Sequence, residues 1–197
     1  MKHICLTGGI GSGKTFISSI FKKFGVPVYH SDEKAKELMT SNSSIRRQIV
    51  DLFGELAYIN EELNRKFLSE MIFKDKSLLK KINEIAHPVV IQDFKQWATN
   101  QDSRYVICES AIVIENGLQK HFDKIICIIT DENVRIQRIV KRDNSTEEKV
   151  REILNNQISD KERLKYADFI INNNDNELIL LKIKEIHTQL WENFQNG

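Results

Sequence analysis

Residues 8–15, with the sequence GGIGSGKT, have the composition and spacing of a phosphate-binding loop, G-x-x-x-x-G-K-[ST]. Glycine lacks a Cβ atom, so consecutive backbone N–H groups in such a loop can point at one anion. Lys14 would reach the β- and γ-phosphates of a nucleotide, and the Thr15 hydroxyl would ligate Mg²⁺. We therefore predict a nucleoside triphosphate site with contacts from Gly8, Gly9, Gly11, Ser12, Gly13, Lys14, Thr15 and Phe16.

The segments beside this loop have the order that such a site requires. Residues 2–7 read as a short buried strand, and residues 16–24 place apolar side chains at helical spacing. A helix that starts directly after the glycines adds its unpaired N–H groups and its positive dipole end to the anion site. A dinucleotide-binding fingerprint fits less well, because its third glycine position falls on Lys14.

Two further kinds of residue could act on a phosphoryl group. Arg135, Arg138 and Arg142 are spaced i, i+3, i+7, which puts all three on one helix face. Guanidinium groups stabilise the charge on the oxygens of a transferring phosphoryl group. The alternative is a solvated helix face with ordinary surface arginines.

Asp32 follows the second predicted strand, in the run Tyr29-His30-Ser31-Asp32. The carboxyl ends of parallel strands line the ligand crevice of an open sheet. A carboxylate there could orient an attacking hydroxyl and accept its proton. It could also cap the helix predicted over residues 33–39, and the two roles are compatible.

The elements that must position these residues form repeated strand–helix units. Several of the β-rich runs are near-continuous in Val, Ile, Cys and Phe, which is typical of a parallel sheet covered on both faces. The five runs are residues 2–7, 26–30, 104–110, 124–130 and 168–172. We predict a three-layer α/β fold with a five-stranded parallel sheet and helices on both faces.

The spacing of the strands is uneven, which predicts two additions to the core. About 75 residues separate the second and third strands, far more than a simple crossover needs. We interpret residues 32–100 as a helical insertion that binds an acceptor, and the charged residues 132–166 as a mobile helical lid. The core of this single domain then comprises residues 1–31, 101–131 and 167–197.

The overall composition limits the partners. The 29 basic and 28 acidic residues leave a net charge of +1, so no overall field favours nucleic acid or an anionic membrane. No run approaches the roughly 20 apolar residues of a membrane-spanning helix, and we expect no secretory signal. Cys5, Cys108 and Cys127 lie in apolar runs and are predicted to be core residues without disulfides. We expect a cytoplasmic protein without an obligate protein partner.

A GTPase is a poor match to the remaining pattern. Residues 51–54 satisfy D-x-x-G, but they lie in the predicted helical insertion and not at a strand end. No N-K-x-D motif that would recognise guanine follows. The remaining interpretation is a small-molecule kinase that has a sheet, an acceptor-binding insertion and an arginine-containing lid.

The chain as a whole resembles the dephospho-coenzyme A kinase family, from residue 3 to about residue 190. The matching landmarks occur in the family's order along the chain. They are residues 6–15, 28–32, 85–89, 112–115 and 138–142, then Ser145, Gln157 and residues 167–173. Ala111 stands where the family usually has proline, and Ile114 where an aromatic residue is common, which changes the packing at the edge of the acceptor pocket.

This resemblance implies the P-loop kinase fold and an ATP-dependent phosphotransferase. The enzyme would use Mg²⁺ to transfer the γ-phosphoryl group of ATP to the 3′-hydroxyl of dephospho-CoA. Lys14, Asp32 and Arg138 would be catalytic, and Arg142 and Asn172 would add contacts to the nucleotide. Thr7, Asp32, His87 and Glu115 would bind the substrate, and Thr15 would hold the metal.

Several roles remain open at this point. His87 could contact the acceptor or be a structural histidine before a rigid turn at Pro88. Glu115 could bind the acceptor or cap the helix predicted over residues 116–121. Glu109, at the end of the third strand, could hold a Mg²⁺-bound water. The function alternatives are another small-molecule or nucleoside monophosphate kinase, or a nucleotide-binding protein with little catalysis.

Overall fold

The computed structural model describes residues 1–174 and 178–194. The strands are β1 Lys2–Gly8, β2 Val28–His30, β3 Tyr58–Ile59, β4 Glu62–Leu63, β5 Tyr105–Glu109, β6 Lys124–Ile129 and β7 Phe169–Asn172. The α-helices are α1 Lys14–Lys23, α2 Ser31–Ser41, α3 Ser43–Phe53, α4 Arg65–Lys74, α5 Ser77–Thr99, α6 Glu132–Asp143, α7 Glu147–Asn155, α8 Asp160–Leu164 and α9 Ile179–Asn193. Two short 3₁₀ helices cover Glu55–Ala57 and Leu118–His121.

The five predicted strands form one parallel sheet in the order β2-β5-β1-β6-β7. The predicted fold class is therefore confirmed. The central strand β1 pairs Leu6 with Glu109 of β5 and Gly8 with Ile128 of β6. Since all five strands run the same way, their carboxyl ends meet at one edge of the sheet, which is where open α/β sheets bind ligands.

Side chains on the two faces of β1 enter different layers of the core. Ile4 and Leu6 pack with apolar residues of α1 and α9 on one face. Cys5 packs on the other face with Val113 and Ile125. All three cysteines are free and buried, as predicted, and burial raises the pKa of the Cys127 thiol to about 11.

Residues Ser31–Trp97 form a compact unit of their own, and the rest of the described chain forms another. Helices α2 to α5 of the Ser31–Trp97 unit enclose a separate apolar core around Ile45 and Ile49. The pattern predicted helices here, but it did not predict the β3–β4 hairpin, whose turn residues Asn60 and Glu61 have positive φ. The acceptor-binding role of this unit stays a prediction.

Helix α5 corrects one expectation from the sequence. It continues from Ser77 to Thr99 through Pro88, so the expectation of a rigid turn at this proline is wrong. A proline inside a helix removes one backbone hydrogen bond, and a long helix with apolar contacts on both sides of the proline tolerates this loss. His87 therefore lies within a helix.

The predicted lid segment has its own apolar contacts. Helices α6 and α7 pack together through Ile136, Ile139 and Val150. Ile10 of the phosphate-binding loop packs against the same cluster. Hydrophobic contact thus connects these helices directly to the loop.

Helix α9 closes the sheet through a cluster that contains a histidine. Ile186 and Leu190 of this helix are buried, whereas Leu181 is exposed. His187 stacks on Phe24 at 5.3 Å and its Nδ1 is hydrogen-bonded to the Tyr105 hydroxyl at 2.8 Å. None of the helices in the described ranges combines the length and apolar character needed to cross a bilayer.

The half-buried side chain of His187 predicts how stability depends on pH. Burial lowers the pKa of His187, so the folded chain favours the neutral imidazole. This contribution to stability is complete above the unfolded pKa of about 6.5 and is lost as the pH falls from there through the lower folded pKa. We expect the free energy of unfolding, measured with urea between about pH 7 and pH 5, to fall less steeply in His187→Gln than in the original chain. Burial also lowers the pKa of His87, but that effect is common to both proteins. Identical slopes would contradict the prediction.

Candidate active site

The phosphate-binding loop joins β1 to α1 in the strand–loop–helix order that the sequence predicts. Gly11 and Gly13 have φ values of 78° and 90°, a conformation that residues with a Cβ atom rarely adopt. The Lys14 ammonium donates to the carbonyl oxygens of Gly8 at 2.9 Å and Gly9 at 3.2 Å. Its charge is therefore held beside the loop where phosphates would be bound.

Neighbouring side chains leave no room for a Cβ atom at two of the loop glycines. The Arg135 guanidinium occupies the position that a Cβ on Gly9 would take, and the Asn173 amide occupies the corresponding position at Gly13. A side chain at either position would require one of these polar groups to move.

Residues from three other segments hold the loop in place. The Asn173 side-chain amide and the Thr130 hydroxyl donate to the Ser12 carbonyl oxygen at 2.7 and 3.2 Å. The Ile10 N–H donates to Gln157 Oε1 at 2.9 Å. The sequence analysis selected Asn172, which is exposed at the end of β7, and missed that its buried neighbour Asn173 binds the loop.

A buried carboxylate lies directly beside the predicted metal ligand. Glu109 ends β5, and its Oε1 accepts a 2.9 Å hydrogen bond from the Thr15 hydroxyl. Its Oε2 accepts from the Ser18 hydroxyl at 2.8 Å and lies 2.8 Å from His30 Nδ1. Sequence reasoning raised Glu109 as a candidate but found neither Ser18 nor His30.

This arrangement is suited to Mg²⁺. Because the Thr15 hydroxyl directs its proton to Glu109, a lone pair of its oxygen remains for a cation. In the described ranges, no group of three or more His, Cys, Asp or Glu side chains could hold a metal ion by itself. Mg²⁺ does not need such a cage, since it is usually bound by one or two protein groups together with substrate phosphates and water.

The three arginines predicted to share one face of α6 have two different kinds of surroundings. Arg135 lies against Gly9 and 3.6 Å from the Asp160 carboxylate, and Arg138 donates to the Asn173 carbonyl oxygen at 3.0 Å. Arg142 is exposed and pairs with the adjacent Asp143 at 2.7 Å. The structure therefore brings Arg135 and Arg138 to the loop, while Arg142 lies at the surface.

Arg163 is a buried cation that the sequence analysis missed. Its guanidinium is fully buried, donates to Glu115 at 2.6 Å and to Asp160 at 2.9 Å, and approaches Gly9. Glu115 is thus paired with Arg163, and the following 3₁₀ helix starts at Leu118 after Gly117 without a side-chain cap. The capping role considered for Glu115 is wrong, and its acceptor-binding role stays a prediction.

The remaining predicted residues have the following surroundings. Asp32 lies in the first turn of α2, which begins at Ser31, so it is inside the helix and does not precede it. The Thr7 side chain is buried, and its hydroxyl has no hydrogen-bond partner within the described ranges. Phe16 is exposed in the first turn of α1. His87 is half-buried, and burial lowers its pKa.

The Ser31–Trp97 unit contains an open cavity of about 440 Å³. Its lining residues are Gln48, Asp51, Leu52, Lys81, Glu84 and Ile85. None of the predicted site residues lines this cavity, and we assign no ligand to it.

Solved structures with the same architecture include several kinases. The dephospho-CoA kinase from Campylobacter jejuni superimposes with a TM-score of 0.69 at 23% identity, covering 97% of this chain and 98% of the other. TT1252 from Thermus thermophilus gives a TM-score of 0.81 at 22% identity, covering 100% and 98% of the two chains. A shikimate kinase from Acinetobacter baumannii gives 0.57 at 16% identity, covering 100% and 96%. At these identities the likeness establishes the fold, which is that of the P-loop kinases.

Sequence relatives are more specific. The family model for dephospho-CoA kinase matches residues 2–178. A dephospho-CoA kinase of Bacteroides fragilis is 35% identical over 190 residues, covering 96% of this chain and 93% of the relative. One of Fusobacterium nucleatum is 36% identical over 174 residues, covering 88% and 90%. The match to the family model includes the phosphate-binding loop, the sheet and the helices that carry the arginines. This chain therefore belongs to the dephospho-CoA kinase family, whose members are ATP-dependent kinases.

Proposed function

We propose that this chain transfers the γ-phosphoryl group of ATP to the 3′-hydroxyl of dephospho-CoA in the cytoplasm, giving CoA and ADP. The observation that carries the proposal is the joint position of Lys14, Thr15 and Glu109 at the carboxyl edge of the sheet in a chain of this family. The family supports the identity of the acceptor, and the loop supports the reaction type.

The loop residues would bind the phosphates of ATP. The backbone N–H groups from Gly8 to Thr15 surround the anion, and Lys14 exchanges its present contacts with two loop carbonyl oxygens for the β- and γ-phosphates. Phe16 contributes its backbone N–H at the start of α1. Asn172, at the end of β7, is the proposed contact on the adenine side.

Thr15 and Glu109 are the proposed holders of Mg²⁺, Thr15 through its hydroxyl oxygen and Glu109 through metal-bound water. When bound there, Mg²⁺ would neutralise part of the charge that develops on the phosphates during transfer. Glu109 also fixes the direction of the Thr15 hydroxyl proton, so the oxygen lone pairs have a defined orientation.

Asp32 is the proposed base that orients the acceptor hydroxyl. As the bond between the 3′-oxygen and the γ-phosphorus forms, the bond between that phosphorus and the bridging oxygen of ADP breaks, and Asp32 accepts the hydroxyl proton. Thr7, His87 and Glu115 are the proposed further contacts to the acceptor. His87 would bind as a neutral imidazole, because burial lowers its pKa.

Arg138 is the proposed cation that stabilises the transferring phosphoryl group. Its guanidinium donates to the carbonyl oxygen of Asn173, which binds the loop. Arg135 of the same helix lies against Gly9 and is a second cation beside the loop. Arg142 would reach the nucleotide only after it leaves Asp143, so we assign it a secondary role. The α6–α7 segment would exclude water that could otherwise take the phosphoryl group.

The reaction is tested by measuring ADP release from Mg·ATP with dephospho-CoA, AMP, CMP, gluconate or shikimate as acceptor. We expect ADP with dephospho-CoA only, together with CoA as the second product. ADP with a different acceptor would retain the phosphate-transfer chemistry and overturn the substrate. No stimulation by any of these acceptors would favour a nucleotide-binding protein with little catalysis.

The variant Asp32→Asn tests the proposed base. Loss of a general base typically lowers the rate about 10²- to 10⁴-fold, so kcat with dephospho-CoA should fall within that range. ATP affinity, measured by calorimetry in the absence of acceptor, should stay within about threefold because the nucleotide is bound by the loop. An unchanged kcat would remove Asp32 from the catalytic groups.

The variant Glu109→Gln tests the proposed magnesium carboxylate. A carboxamide keeps one acceptor oxygen and replaces the other with an NH2 donor, so the Thr15 or the Ser18 hydroxyl loses its acceptor, and the negative charge is lost as well. We expect the Mg²⁺ concentration that half-saturates activity to rise about tenfold or more. Glu148→Gln, a substitution of an exposed residue on α7, is the matched control and should leave the half-saturating Mg²⁺ concentration unchanged. Equal Mg²⁺ dependence in the two variants would contradict the role of Glu109.

A further inference from the structure

His30 is the third group that contacts the Glu109 carboxylate, together with Thr15 and Ser18. Its Nδ1 lies 2.8 Å from Glu109 Oε2, and both side chains are largely buried, with exposed fractions of 22% for His30 and 10% for Glu109. The contact joins the ends of neighbouring strands, since β2 and β5 pair His30 directly with Glu109.

The opposite nitrogen of the ring determines which tautomer is present. Lys22 Nζ lies 2.8 Å from His30 Nε2. An ammonium group can only donate, so Nε2 must be the unprotonated, accepting nitrogen. The proton of a neutral ring then lies on Nδ1 and is donated to Glu109. A doubly protonated ring would place two donors against each other at Nε2.

We propose that His30, held in the Nδ1–H tautomer by Lys22, is the positioning residue for the Glu109 carboxylate. This inference rests on the proposed function, in which Glu109 holds Mg²⁺-bound water. Lys22 lies in the last turn of α1 and Thr15 in its first turn, so one helix supplies both the metal ligand and the lysine that orients the histidine.

The chemistry of the contact explains why a positioning residue is needed. A carboxylate can rotate about its terminal bond, and the single hydroxyl donors of Thr15 and Ser18 leave capacity at Oε2. A third donor on Oε2 fixes the plane of the group and the direction of Oε1 toward Thr15. Outer partners of this kind typically change metal affinity 10- to 100-fold when removed.

His30 also has a special place in the chain. It is the last residue of β2, and Ser31 starts the helix that carries Asp32 two positions further on. The residue that orients the magnesium carboxylate is therefore joined through one peptide to the start of the helix of the proposed base.

The first test measures how Mg²⁺ changes the affinity for a fluorescent ADP analogue, with EDTA as the metal-free reference. We expect His30→Leu to raise the half-saturating Mg²⁺ concentration about tenfold or more and to leave the affinity in EDTA unchanged. His30→Asn, whose amide N–H can replace Nδ1–H, should restore most of the Mg²⁺ affinity. An unchanged Mg²⁺ dependence in His30→Leu, or an equal loss with and without Mg²⁺, would overturn the proposal.

The same Mg²⁺ titration distinguishes a failure of this inference from a failure of the proposed function. It contains no phosphoryl acceptor, so its result depends only on the binding of metal and nucleotide. If Glu109→Gln shifts the Mg²⁺ dependence and His30→Leu does not, the role of His30 fails alone. If neither variant shifts it, the magnesium role of Glu109 fails, and the role of His30 fails with it.

The second test reads the tautomer directly and needs no change at His30. In the unmodified chain, the ¹⁵N shifts of His30 at neutral pH should identify Nδ1 as protonated and Nε2 as unprotonated. Lys22→Met should weaken this preference, and Lys23→Met, the neighbouring exposed lysine of the same helical turn, should preserve it. An Nε2–H tautomer or an imidazolium in the unmodified chain would overturn the proposal.

Discussion

The close approach of polar side chains to the phosphate-binding loop is the constraint on which the rest of this site depends. A loop that binds a highly charged ligand needs donors and cations at short range, and its own backbone must remain accessible to them. The guanidinium of Arg135 and the amide of Asn173 therefore lie where Cβ atoms of Gly9 and Gly13 would be. The sheet brings Asn173 to this position through β7, and the helices after β6 bring Arg135.

The buried ionic contacts around this loop hold several distant segments in register. Arg163 pairs with both Glu115 and Asp160, and a fully buried guanidinium is tolerated only when it is paired in this way. Ile10 adds an apolar contact with α6 and α7. The segment predicted as a lid is thus attached to the loop by packing and by charge, which sets how its arginines are presented to a nucleotide.

Much of the architecture could be predicted because its signals are local. The continuous apolar run of residues 125–129 indicates a buried parallel strand whatever it pairs with, and the glycine loop indicates its flanking strand and helix. The β3–β4 hairpin escaped prediction because strands of two residues have no periodicity to detect. Proline is a strong helix breaker in isolation, so only the packing of α5 on both sides of Pro88 reveals the continuous helix.

The sequence predicts the residues of the phosphate-binding loop and the nearby carboxylate, but not the side chains that hold them in place. Lys14 and Thr15 follow from the motif, and the position of Glu109 at a strand end follows from the parallel sheet. His30 and Arg163 could not be identified in the same way, because their roles come from partners 79 and 48 positions away in the chain, Glu109 and Glu115. Such pairings are properties of the tertiary fold, and a single sequence contains no local sign of them.

The division into two compact units has a practical consequence for spectroscopy. The chain has two tryptophans, and each unit contains one of them. Trp97 stacks on Phe94 at a centroid distance of 6.2 Å, and Trp191 lies 4.6 Å from the guanidinium carbon of Arg104. Their emission therefore arises in different surroundings, one stacked on a phenylalanine ring and one beside a guanidinium. A pair of single-tryptophan chains would let fluorescence report separately on the order in which the two halves of this enzyme acquire their packing.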